Sequence, residues 1–135
     1  MANAVYPIAL KKFMDKDIDL LADTIKVMLI DTGTSGADYQ ATDDFMADIA
    51  TAGRVAASAA LDNKTTTGGV FNADDATWAA VTGATCEAAI VYVDTGDVAT
   101  DILLCWMDTF DSGFPFTPNG GGFTLTWNAS GIFSI

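Results

Sequence analysis

The chain has 135 residues, half of them apolar, with 18 acidic side chains against 6 basic ones, no histidine and a net charge of −12. That size fits a single domain, residues 1–135, able to bury roughly two-thirds of its unfolded surface, and no apolar run reaches the ~18 residues that would span a bilayer. The acidity argues against nucleic acid and membrane surfaces as partners, because a duplex with one negative charge per ~1.7 Å repels such a protein.

The last cation is Lys64; the acids beyond it, from Asp74 and Asp75 through Glu87, Asp94, Asp97, Asp101 and Asp108 to Asp111, are expected to stand without a cation to pair with. The opening Met1-Ala-Asn-Ala-Val-Tyr-Pro7 shows neither a basic nor a long apolar leader region, so a product made and assembled in a cytoplasm is expected. Cys86 and Cys105 sit among apolar neighbours and read as buried small hydrophobes in place of a disulfide; without histidine they complete no Cys/His zinc site.

In chain order, residues 1–7 read as an apolar N-terminal arm. Tyr6, Leu10 and Phe13 space a short helix with Pro7 in its first turn and Lys11 and Lys12 near its end. Thr24 to Ile30 is a β-branched strand. Thr42-Asp43-Asp44-Phe45 places a capping side chain and two acids ahead of Met46 and Ile49, which predicts a second helix of about two turns. From Arg54 onward short strand-like runs recur: Arg54 to Leu61, Thr65 to Phe71, Thr77 to Thr82, Cys86 to Val93, Asp101 to Met107, Phe123 to Trp127 and Ile132 to Ile135, most of them separated by Gly, Asn, Asp or Pro. Such spacing predicts a mainly β fold, an antiparallel β-sandwich of jelly-roll type with about seven to nine strands and two short helices in the N-terminal third. Glu87 to Gly96 followed by Asp101 to Asp108 reads as a central hairpin, apolar on both faces and needing cover on both, from within the chain or from a neighbouring subunit. Phe114-Pro-Phe-Thr-Pro-Asn-Gly-Gly-Gly122 is too rich in Pro and Gly for regular structure.

The constellations that carry chemistry are incomplete. Lacking histidine, the chain lacks the commonest general base and transition-metal ligand. Asp43-Asp44 and Asp74-Asp75 are adjacent acids that diverge and do not face a common substrate atom. Asp15, Asp17 and Asp19 imitate the start of an EF-hand, but Leu20 stands where the loop needs Gly and Lys26 where it needs a bidentate Glu. Asn119-Gly-Gly-Gly122 lacks the Lys and Ser/Thr of a phosphate loop. Trp78, Trp106 and Trp127 would suit a sugar-binding face, but tryptophans in strands more commonly belong to a core or an interface. The expectation is a non-enzyme without catalytic residues, cofactor or metal.

Several segments together resemble small virion-structure proteins of tailed bacteriophages: Met1-Ala-Asn-Ala-Val-Tyr-Pro7, Asp23-Thr-Ile-Lys-Val27, Phe45 closing an Ala-Thr-x-x-Phe run, and Arg54-Val-Ala-x-Ser-Ala-Ala-Leu61. Lys64-Thr-x-Thr-Gly-Gly-Val-Phe71, Val81-Thr-Gly83, Asp94-Thr-Gly96, Pro118-Asn-Gly-Gly121 and Thr124-x-Thr-Trp127 extend the resemblance over nearly the whole chain. It implies a virion protein, and with this size, acidity and β content a capsid decoration or cement protein. Such a protein binds the major capsid protein on the shell exterior and self-associates as a dimer or trimer. A tail or fibre component that binds host glycans is the alternative. The interface residues expected on this reading are Val5, Tyr6 and Pro7 of the arm, Trp106 of the hairpin, and Phe114 and Phe116 of the irregular loop.

Overall fold

The computed structural model describes residues 3–135, so Met1 and Ala2 of the expected arm lie outside the described residues. Among the described residues nine strands and one α-helix follow in the order β1 (Ala4–Val5), α1 (Pro7–Met14), β2 (Ile25–Ile30), β3 (Arg54–Ala57), β4 (Val70–Phe71), β5 (Ala76–Trp78), β6 (Ala88–Val93), β7 (Ile102–Met107), β8 (Phe123–Leu125) and β9 (Phe133–Ser134). Five of them make one antiparallel sheet, β1-β7-β6-β2-β3; the others pair as two separate ribbons, β4-β9 and β5-β8. The fold is mainly β, as the sequence predicts, but the strands do not divide into the two four-stranded sheets of a jelly roll. Positive φ at Gly68 and Gly69 is one cause: these backbone angles, which favour glycine, cut the expected strand over 65–71 down to the two residues of β4. Among the described residues no helix is long and apolar enough to cross a membrane.

The hairpin β6–β7 is the centre of the sheet. Every residue of β6 is buried, and in β7 only Ile102 is partly exposed. Ile90 faces Trp106 and Val91 faces Cys105, after which a bulge shifts the register so that Tyr92 faces Leu103. Cover comes from within the chain. Tyr39 packs against both Tyr6 and Trp106, with ring centroids 5.1 and 6.2 Å apart. Leu61, Phe71, Trp78, Leu125 and Trp127 join the same core. The β5–β8 ribbon is tied to the sheet where Ala59 N–H donates to the Thr77 carbonyl (3.0 Å) and Trp78 Nε1 to the Ala56 carbonyl (3.1 Å).

The outer edge of β7 is filled twice over. Ala4 and Val5 pair with Trp106 and Cys105, and Tyr6 N–H donates to the Leu104 carbonyl at 2.9 Å. Residues 3–7 are therefore not a free arm: Ala4–Val5 is an edge strand that leads through Tyr6 into α1, and the Tyr6 side chain is wholly buried. Asn3 locks this strand, its Oδ1 accepting from the N–H groups of Asp108 and Thr109 (both 2.9 Å) while its Nδ2 donates to the Thr109 carbonyl (3.1 Å). Asn3→Ala is expected to cost about 1 kcal/mol, since exposed hydrogen bonds contribute little each, and to speed amide exchange at Asp108 and Thr109 while leaving β6 protected.

The second helix is absent for a related reason. Phe45 is extended and bridges Ile102, Met46 N–H donates to the Asp101 carbonyl, and Leu103 N–H to that of Asp44. The segment that looks like a helix start thus extends β7's pairing, and only single 3-10 turns follow at Met46–Asp48 and Thr51–Gly53. The Asp48 carboxylate accepts from Asp44 and Phe45 N–H, a local bond that competes with helix.

Burial, then the neighbouring Asp48 and Asp44, pushes the Asp43 carboxyl up to about 6 from an ordinary 3.8. A carboxyl raised in the folded state contributes stability that is present below pH 3.8 and lost as pH climbs through 6. Asp43→Asn should therefore stabilise the protein at pH 7 relative to its effect at pH 4. A shift of this size corresponds to about 3 kcal/mol unscreened, and partial exposure reduces the expected gain to about 1 kcal/mol. Paired urea titrations at the two pH values measure it. Asp48 runs the opposite way, its carboxyl held low by the two backbone donors.

Candidate interaction surface

The irregular chain between β7 and β8 is organised by rings. Phe110 and Phe114 stack at 3.8 Å with planes 13° apart, Phe114 meets Phe123 edge-on at 5.7 Å, and Phe123 stacks on Phe116 at 4.0 Å and 17°. All four are only partly buried, although they pack against the core.

Each ring is placed by a different element. Phe110 lies three residues past the end of β7. Phe116 forms an isolated antiparallel bridge with Cys86, its N–H and carbonyl each bonded to that residue's backbone at 2.8 and 2.7 Å. Phe123 opens β8 opposite Trp78, whose ring lies 5.4 Å away. Gly122 permits the close approach there, because a Cβ would sit 3.0 Å from the Trp78 carbonyl oxygen. Val81 clamps the Asn119-Gly-Gly-Gly122 turn, accepting from Gly120 N–H and donating to the Gly121 carbonyl.

Acids border the rings. A hollow of about 330 Å³ is lined by Phe110, Phe114 and Pro115 together with Glu87, Asp108 and Thr109. The last three also line an adjoining cleft of about 600 Å³ that runs to Asp38, Tyr39 and Trp106. Among the described residues, neither is lined by a lysine or arginine. Glu87 is oriented by the N–H and hydroxyl of Thr32 (3.0 and 3.2 Å), and Asp108 accepts from Trp106 Nε1 at 3.1 Å. Exposed Asp111 lines a separate hollow with Phe110 and Asn128, and accepts from Asn128 Nδ2 at 2.9 Å.

Of the expected interface residues, Phe114 and Phe116 do come together at the surface, whereas Tyr6 and Trp106 do not offer a contact face. Trp106 is 2% exposed, and Tyr6 lies beneath Tyr39. Val5 is spent on strand pairing and Pro7 is the first residue of α1, still exposed. Phe110 and Phe123 belong to the surface and were not singled out from the sequence; their nearness in sequence to the Phe-Pro-Phe turn is the signal that points to them.

All three tryptophans are core residues. Each indole N–H is satisfied within the chain, Trp78 by the Ala56 carbonyl, Trp106 by Asp108 and Trp127 by the Asp74 carbonyl. The two cysteines are free and buried, and burial pushes both thiols up to about 12, far from nucleophilic at neutral pH. Asp94 departs from the expectation of unpaired acids, since Lys26 reaches it from β2 at 2.7 Å and holds its carboxyl below the usual range. The EF-hand-like aspartates make a local turn, with Asp19 accepting from the N–H groups of Leu21 and Ala22. Set against known proteins, the chain matches no family model and no curated protein.

Proposed function

We propose that this protein is a non-enzymatic structural component of a phage virion, a decoration or cement protein that binds the major capsid protein on the outside of the shell. The observation that carries the binding role is the partly exposed Phe110–Phe114–Phe123–Phe116 stack, a group of large rings whose remaining exposed area gains free energy when a partner covers it. The virion assignment draws on the run of segments from Asp23-Thr-Ile-Lys-Val27 to Thr124-x-Thr-Trp127 that resembles such proteins. A cement protein acts by mass action, stabilising the lattice it binds in proportion to occupancy, so no reacting group is needed. Its repetition over the shell supplies avidity. On this reading the two ribbons act as the second layer of a sandwich over the five-stranded sheet, and the protein self-associates as a dimer or trimer.

The test is to mix purified protein with mature and unexpanded empty capsids and sediment them. Co-sedimentation with mature shells and a raised shell melting temperature are expected; a protein left in the supernatant in both mixtures rules the assignment out. A tail or fibre protein reading host glycans would use the phenylalanine stack or the partly exposed Tyr39 in the neighbouring cleft, because the tryptophans are buried. A glycan array separates the two readings, and a cement protein leaves it blank.

A further inference from the structure

We infer that two copies of this chain meet about a two-fold axis through the face formed by α1, the turn after it and β9. This deepens the self-association in the reading above and rests on it in that respect alone. Of the five large apolar side chains that stand exposed among the described residues, Leu10 (36%), Met14 (78%), Leu21 (54%) and Ile135 (63%) belong to these elements; only Val98, between β6 and β7, does not. Pro7, Leu10 and Met14 are exposed at the three- and four-residue spacing that sets them along one side of the helix. Phe13 joins that helix to its surroundings. Its ring lies 6.4 Å from that of Phe133 in β9, and it lines a hollow of about 410 Å³ with Lys16, Asp19, Leu20, Leu21 and Thr66. Ile135 N–H donates to the Gly69 carbonyl, and Gly69 N–H to that of Thr66, so the end of β9 is tied to the same hollow.

Charge selects the occupant. The chain carries −12, so two copies repel wherever acid faces acid. Between residues 11 and 20 the balance is even, with Lys11, Lys12 and Lys16 against Asp15, Asp17 and Asp19. Lys11 and Lys12 are spent inside the chain on Asp15 and Asp44. Lys16 stands exposed where a φ of 64° turns the chain out of α1. Alone among the lysines, it has neither an ion pair nor a side-chain hydrogen bond among the described residues. Lys16 and Asp19 line the hollow together. A two-fold axis sets one patch against its own image, so Lys16 of each copy meets Asp19 of the other while Met14 and Leu21 of both leave water. A uniformly acidic or basic surface would match one of these charges and repel the other. The hollow shares no lining residue with the one under Phe110 and Phe114, so this dimer leaves the phenylalanine stack open.

Sedimentation equilibrium of the full chain at about 150 mM salt, where exposed charges beyond about 8 Å are screened, is expected to show a monomer–dimer equilibrium with a micromolar Kd. As the ¹⁵N-labelled protein is concentrated, the amides of Met14, Lys16, Leu20 and Leu21 should shift and those of Phe114 and Phe116 should not. Leu21→Glu and Val98→Glu each add one negative charge at an exposed apolar site. The first should weaken the dimer about tenfold and the second leave it unchanged. Lys16→Glu should weaken it about fivefold, and Lys16→Arg, which keeps the charge, should not. All three sites are exposed, and an unchanged melting temperature checks that each variant folds; the concentration-dependent shifts need no variant.

A chain that stays monomeric at millimolar concentration, a trimer, equal weakening by Val98→Glu, or shifts confined to the phenylalanine stack would overturn the inference. Capsid sedimentation keeps the two readings apart. A dimer that leaves mature shells unbound defeats the virion reading and keeps this contact. Shell binding by a chain that never dimerises does the reverse.

Discussion

Trp106→Ala is expected to destabilise the protein by about 3–5 kcal/mol, the range for truncating a large buried aromatic. Trp106 is the central side chain of the sheet, paired to Ile90 on one side and Ala4 on the other, 2% exposed and covered by Tyr39. Its removal leaves a cavity that β6 and β7 cannot close, because both strands are locked into neighbours along their length. It also strips Asp108 of its indole donor in a region where Asn3 already fastens the backbone. Against a marginal total of about 5–15 kcal/mol, a loss of this size leaves a large unfolded fraction. Urea unfolding followed by far-UV circular dichroism measures it. A loss under 1 kcal/mol would mean that Trp106 is not the packed centre described here.

Ser58→Ala carries the second-largest expected loss, about 1–3 kcal/mol, through a different mechanism. Ser58 lies one residue past β3, where the strand leaves the ladder, and its Oγ accepts from Val27 N–H at 2.9 Å while donating to the Ala59 carbonyl at 2.7 Å. Its own N–H donates to the Val27 carbonyl, so one serine satisfies both backbone groups of a buried strand residue. Alanine keeps the backbone bond and orphans the Val27 N–H, which then bears its full desolvation cost. Ser58→Thr, which retains the hydroxyl, should recover most of the loss, and faster exchange of the Val27 amide in the alanine variant alone would locate the effect.

Much of the fold is legible from local pattern. The apolar spacing of Tyr6, Leu10 and Phe13 with Pro7 marks α1 to within a residue of its observed bounds, and the doubly apolar run from Glu87 to Met107 marks the central hairpin. The second helix misleads because Thr42-Asp43-Asp44 is a genuine helix-start pattern, overridden when Phe45 and Asp44 find the vacant edge of β7. A propensity of a few tenths of a kcal/mol per residue yields readily to backbone hydrogen bonds that an edge strand leaves open.

The phenylalanine stack divides in the same way. Phe114 and Phe116 draw attention in sequence because Pro, Gly and aromatic residues crowd there. Phe110 joins through a local stack on Phe114, whereas Phe116 and Phe123 are held in place by the Phe116–Cys86 bridge and the β5–β8 pairing, contacts between residues distant along the chain. The amino-acid sequence by itself settled the β-rich character, the acidity and the absence of histidine chemistry, since composition and short-range periodicity suffice for these. Tertiary structure alone decided that Tyr6 and Trp106 are buried and that Lys26 finds Asp94. It also decided that four rings meet beside Glu87 and Asp108, because each outcome depends on which strand edge is filled by which distant segment.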